Sequence, residues 1–205
     1  MGLGLGLLAT ATFSVTGVLA ARSSRIDLFG ILVIGVVTAV GGGTLRDIIL
    51  DVPVFWIHSE LYLGVAGFAA VTCFFLRRQI HHAYPLLLYL DALGAALFAT
   101  MAVNKTLALG LNSGNAIVMG VITGIGGGLI RDLLTGRPTL VMQRDLYATP
   151  ILFGLVVQIG LLNYSALGNL SAVMLGGAVI FLFRALAIYY GWRMPDFLTN
   201  EGAQD

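Results

Sequence analysis

The sequence predicts an all-α integral membrane protein whose seven transmembrane helices form two inverted three-helix repeats plus one. Three observations lead there. Of the 205 residues, 58% are hydrophobic and only 10% charged, with a mean hydropathy of +0.94; a soluble domain carries about a quarter charged residues. Apolar runs near the roughly 20 residues that cross a bilayer core recur along the chain, joined by short connections. One stretch also occurs twice: TAVGGGTLRD at 38–47 returns as TGIGGGLIRD at 123–132, a spacing of 85 residues.

The expected spans lie near residues 3–21, 27–45, 60–76, 85–103, 112–130, 146–163 and 169–190. The first has the small-residue ending of a signal peptide at Leu19-Ala20-Ala21 but lacks its positive leading region. Leu8, Ala11, Phe13 and Val18 recur as Leu93, Ala96, Phe98 and Val103, so it reads as a retained helix. The second and fifth spans carry the glycine motif. Beyond it Pro53 maps to Pro138, Leu61-Tyr62 to Leu146-Tyr147, Phe68 to Phe153, and Glu60 to the acidic Asp145, which pairs the third span with the sixth. The first repeat is residues 1–84, the second 85–166, the unpaired seventh helix 167–192, and a polar tail expected to be poorly ordered occupies 193–205. Three helices are an odd number, so the second copy starts on the other side and is inverted.

Basic residues give the orientation. Arg22, Arg25, Arg77, Arg78, Arg131, Arg137, Arg144, Arg184 and Arg193 fall on one side, and only Arg46 and Lys105 on the other. The C-terminus is expected in the cytoplasm and the N-terminus outside. The net charge of +1 indicates no nucleic-acid partner, and the single cysteine, Cys73, allows no intrachain disulfide.

Gly41, Gly42 and Gly43, with Gly126, Gly127 and Gly128, are the first candidate site. Three glycines weaken a helix by about 1 kcal/mol each. In one reading they interrupt the second and fifth helices, baring carbonyls that favour a cation beside a wet path, with Thr38 and Thr123 supplying hydroxyls. In the other they serve close helix packing. The stripes Gly35-Ala39-Gly43 and Gly120-Gly124-Gly128 fit packing; Gly41, Gly42, Gly126 and Gly127 lie off that line.

Arg46-Asp47 and Arg131-Asp132 follow within a turn. Adjacent helical residues do not face each other, so each pair is expected to bond with neighbouring helices. They serve either as interfacial anchors or as a charged pore mouth or latch. Asp91, inside LLLYLDALGAALF, is an intramembrane carboxylate and so a functional candidate. Its expected partners are basic residues such as Arg131 or Arg184, unless it lines the path. Its counterpart in the first repeat is Gly6. His58, His81 and His82 make no metal-binding pattern. No nucleotide loop, nucleophile elbow or metalloprotease helix is present, and neither an enzyme nor a cofactor is expected.

With the paired GGGxxRD motifs, the 3+3+1 plan and the outside N-terminus, residues 3 to about 192 resemble the prokaryotic trimeric intracellular cation (TRIC) channels, a family also labelled glycine transporter domain. The resemblance implies a homotrimer in the plasma membrane with a pore in each protomer, conducting monovalent cations with K+ favoured and Na+ allowed. It implies that the second and fifth helices bend at their glycines and that the charges beyond help gate the pore. The Lys-Glu-Val lipid signature of the animal members is absent, although Arg77 and Arg78 stand where anionic head groups would meet them. Inverted repeats suit a secondary transporter of a small solute such as glycine equally well.

Overall fold

The structure, a computed structural model, describes residues 2–23, 26–77, 79–165 and 167–195. Arg25, Arg78 and the tail beyond Pro195, all used in the sequence reading, lie outside the described residues. Seven helices follow in order: α1 (Gly2–Ala20), α2 (Leu28–Ile49), α3 (Leu61–Leu76), α4 (Ala83–Ala108), α5 (Ser113–Thr135), α6 (Ala148–Tyr164) and α7 (Asn169–Tyr190). Five have the length and apolarity to cross a membrane, and α3 and α6 are shorter apolar helices. Phe29, Phe68, Phe75, Val118 and Phe153 point outward, as lipid-facing side chains do in a chain whose solvent is hydrocarbon.

The two repeats build their helices with the same local devices, 85 residues apart. Asp27 caps α2 by accepting from Gly30 N at 2.8 Å, and Asn112 caps α5 by accepting from Asn115 N at 2.8 Å. Thr38 Oγ1 donates to Ile34 O and Thr123 Oγ1 to Met119 O, both at 2.6 Å. Beyond each helix the chain reverses through a left-handed residue, Asp51 (φ 51°) after α2 and Gly136 (φ 65°) after α5. Glycine is the usual occupant of that region, and aspartate is one of the few others it admits.

Both glycine-bearing helices differ from the break that three glycines suggest. α2 and α5 run as unbroken α-helix through Gly41–Gly43 and Gly126–Gly128, so the carbonyls before the glycines stay inside the helical ladder. The helices also continue past the Arg-Asp pairs, to Ile49 and Thr135, which places those charges within the helices rather than after them.

Helix α2 packs against α5, α1 against α4, and these four form the centre. α3 lies on α1 and α2. In the second repeat α7 packs on both α4 and α6, which also meet each other where Gln158 Nε2 donates to Thr100 O at 3.0 Å and to Asn104 Oδ1 at 3.1 Å. Phe13 and Phe98 stack at 5.7 Å between α1 and α4, and Gly94 leaves room for the Phe13 ring.

Candidate functional site

At the centre of the molecule α2 and α5 touch main chain to main chain. A β-carbon at Gly42 would collide with Thr123 O and stand 3.0 Å from Gly127 N. One at Gly127 would stand 2.6 Å from Thr38 O, and one at Gly126 would stand 3.1 Å from Gly42 Cα. The glycines off the four-residue stripe are thus the ones that let the two repeats meet. The stripe serves other partners: Gly35 faces Ala70 and Ser14, Gly120 and Gly124 face α4, and Gly43 stands against the Phe55 ring. Close packing accounts for both sets, and at Gly42 and Gly127 main chain meets main chain with no room for a side chain. The Thr38 and Thr123 hydroxyls bond within their own helices rather than standing open as ligands.

Two charge clusters flank the crossing. They are held apart by α4, on which Asp91 and Lys105 lie about 21 Å from one another along an ideal helix. In the first, Asp47 is fully buried. Its Oδ1 accepts from Arg46 Nε and from Lys105 Nζ, both at 2.7 Å, and its Oδ2 accepts from Phe55 N at 2.9 Å. The Arg46 guanidinium lies 5.7 Å over the Phe55 ring. Trp56 Nε1 donates to Thr44 Oγ1 at 3.0 Å beside it. Lys105 is partly exposed, with 32% of its side chain accessible, so it is the member of this cluster that water reaches.

In the second cluster Asp91, also fully buried, accepts from Arg131 Nη1 at 2.7 Å on Oδ1 and from Arg184 Nη1 at 2.9 Å on Oδ2. Arg131 Nε donates to Asp132 Oδ1 at 2.8 Å, and Arg131 Nη1 also reaches Thr16 Oγ1 at 3.2 Å. Asp132 Oδ2 accepts from Leu140 N at 3.0 Å, the counterpart of the Phe55–Asp47 bond. Arg184 lies 4.0 Å over the Tyr147 ring. Gly128 makes this possible, since a β-carbon there would stand 2.9 Å from Tyr147 OH and 3.0 Å from Asp91 Oδ1. Buried charges are tolerated only when paired and hydrogen-bonded, and here two guanidiniums meet two carboxylates.

Asp91 therefore takes both of the partners expected of it. The Arg-Asp pairs are partly as expected. Arg131 reaches α1 and α4, and Asp47 reaches α4, but within each pair the adjacent side chains also bond directly. An arginine is long enough to curl its Nε back onto the neighbouring carboxylate, which the facing rule for short side chains does not cover. The anchor reading fails on burial, because Arg46 and Arg131 are enclosed by protein and do not reach head groups. Lys105 and Tyr147 are the site residues that the sequence does not single out. The available signal was Lys105 itself, a charge on an apolar helix whose counterpart in the first repeat is Ala20. Arg77 stacks on Phe74 at 3.7 Å.

The comparisons with known proteins agree with this architecture. A family model described as "Glycine transporter" matches the chain over residues 4–78 and again over 88–163. The UPF0126 inner membrane protein YadS of Escherichia coli K12 is 39% identical over 202 residues, covering 98% of each chain. The UPF0126 membrane protein YvgT of Bacillus subtilis is 32% identical over 195 residues, covering 94% of each. Among solved structures, the TRIC trimeric intracellular cation channel orthologue from Rhodobacter sphaeroides superposes with a TM-score of 0.89 at 35% identity, covering 93% of this chain and 98% of that one. A second TRIC cation channel structure gives a TM-score of 0.83 at 28% identity, covering 93% and 94%. Full-length similarity at these levels, on a bundle of apolar helices, makes the chain a multi-pass membrane protein of the glycine transporter family, related to the UPF0126 proteins and sharing the fold of the prokaryotic TRIC channels.

Proposed function

We infer that the chain is a cation channel that conducts monovalent ions with K+ favoured. Each protomer of a homotrimer holds its own pore, and the path runs between the two inverted repeats at the α2–α5 crossing. The N-terminus is outside and the C-terminus cytoplasmic. The observation that carries this reading is the crossing itself: two copies of one helix meet through bare glycine main chain, with a charge cluster beyond each end. A seam between two glycine-faced helices, with fixed charges at its two ends, suits a cation path. The likeness to the R. sphaeroides TRIC orthologue supports it along nearly the whole chain.

Opening then means parting α2 from α5. The Asp47–Lys105 bond is the tie that opposes it, because it joins α2 of the first repeat to α4 of the second and is the more hydrated of the two clusters. The family's description favours a second reading, coupled transport of glycine. Against it stands Asp91, the intramembrane carboxylate that coupling would use, which is already committed to two guanidiniums. Liposomes containing the purified chain separate the two. A channel gives K+ efflux down its gradient that is indifferent to glycine; a transporter gives glycine uptake that needs an ion gradient and no uncoupled K+ leak.

A further inference from the structure

We propose that the arginines Arg22 and Arg137 form a binding site for a phosphate group at the end of the molecule where α1 and α5 finish and α4 begins. Two clefts adjoin there and share Tyr84 and Arg137 in their walls. The first, about 310 Å³, is lined by Leu19, Arg22, Ala83, Tyr84 and Arg137. The second, about 280 Å³, runs on past Pro138 and Gln143 to Asp132. Volumes of this order lie at the lower end of the range for small-ligand sites.

The chemistry of the walls selects an anion. Arg22 comes from the turn after α1 and Arg137 from the loop after α5, and the fold brings these like charges to one opening. Arg22 Nη1 donates to Ile80 O at 2.6 Å, which fixes the guanidinium and leaves its other donors for a ligand. Among the described residues no carboxylate pairs with either guanidinium. The acidic residue in the lining, Asp132, is already bonded to Arg131 and to the Leu140 amide. Helix α4 begins at Ala83, so the positive end of its dipole opens on the first cleft. Planar guanidinium forks bind phosphate oxygens in pairs. The half-exposed Tyr84 beside them has the amphipathic ring found at head-group depth.

The second repeat does not repeat in the first at this point. The residue 85 positions before Arg137 is Val52, and the one 85 after Arg22 is Leu107, so the site belongs to one face of the protein. Arg137 N is bonded to Asp132 O at 2.9 Å, which ties the site to the charge cluster at the end of α5. A phosphate there comes either from a membrane lipid or from solution.

Native mass spectrometry of the full chain in detergent tests this with phosphatidic acid, phosphatidylcholine and inorganic phosphate as separate ligands. The variants are R22Q, R137Q and the double; R193Q is the control, an exposed arginine outside both clefts. Melting without ligand checks that each variant is folded. Phosphatidic acid is expected to bind more tightly than phosphatidylcholine, with each single substitution weakening it about tenfold, the loss of one charge-assisted bond pair, and R193Q leaving it unchanged. Inorganic phosphate binding with the same dependence on both arginines, while phosphatidic acid does not bind, also supports the site and assigns its ligand to solution. Equal affinity of the double variant and the native chain for both phosphate ligands overturns the proposal. So does equal weakening by R193Q, or binding of phosphatidylcholine as tight as that of phosphatidic acid.

Discussion

Replacing Asp91 with asparagine isolates the second charge cluster. The carboxylate is fully buried and accepts from two arginines that are themselves almost fully buried. Arg131 retains Asp132 and Thr16, but Arg184 has no other carboxylate within reach among the described residues. An amide of the same size can accept from one guanidinium and turns its own N–H groups toward the other. Breaking a buried pair by removing one partner costs about 3–5 kcal/mol, chiefly because the remaining charge is stranded. The folded-to-unfolded ratio should fall by roughly a hundred- to several-thousand-fold. Unfolding in mixed micelles, followed by the fluorescence of Trp56 and Trp192, measures it. The double variant Asp91→Leu with Arg184→Met removes both charges together and should recover at least half of the loss. Asp91→Asn within about 0.5 kcal/mol of the native chain would refute the view that this cluster holds α4, α5 and α7 together.

Two further substitutions probe the crossing and its tie. Gly127→Ala places a methyl 2.6 Å from the Thr38 carbonyl, whereas Gly67→Ala on α3 meets nothing within 4 Å. The first should destabilise by about 1–3 kcal/mol from overpacking. The second should be neutral or stabilising by up to about 1 kcal/mol from helix propensity. Equal melting temperatures for the pair would remove the close-approach account of the glycines. Lys105→Met leaves Asp47 bonded to Arg46 and Phe55 N, and the pair is partly hydrated, so stability should drop by no more than about 1 kcal/mol. In planar-bilayer recordings the same variant should raise open probability, and an unchanged open probability would show that Asp47–Lys105 does not restrain the helices.

Much of this molecule is legible in its sequence, for physical reasons. Hydrocarbon demands long apolar runs, so those runs mark all seven helices to within about five residues at either end. An unpaired carboxylate is intolerable in that medium, so Asp91 had to find Arg131 and Arg184. The helix ends are harder to read, because in a membrane protein charge ordinarily marks the interface. Arg46 and Arg131 lie within helices because protein partners, rather than water, satisfy them. Gly41–Gly43 and Gly126–Gly128 leave interruption and close packing both open in a sequence, for a related reason. Propensity in an isolated helix predicts a break, while a second helix seated against the bare main chain keeps the ladder intact at Gly42 and Gly127. Neither the return of the Phe55 and Leu140 amides to Asp47 and Asp132 nor the packing of α7 on both α4 and α6 leaves a periodic trace in a single sequence.

Cysteine modification during single-channel recording tests the proposed path most directly. Gly41 adjoins the crossing, and a β-carbon there meets only the flexible end of Ile130, so Gly41→Cys is tolerable on a background in which the buried Cys73 is replaced by alanine. If ions pass between the repeats, a cationic thiol reagent reaches this position when the channel opens and abolishes the K+ current, sparing the background protein. Undiminished K+ current after the thiol has demonstrably been modified would place permeation elsewhere.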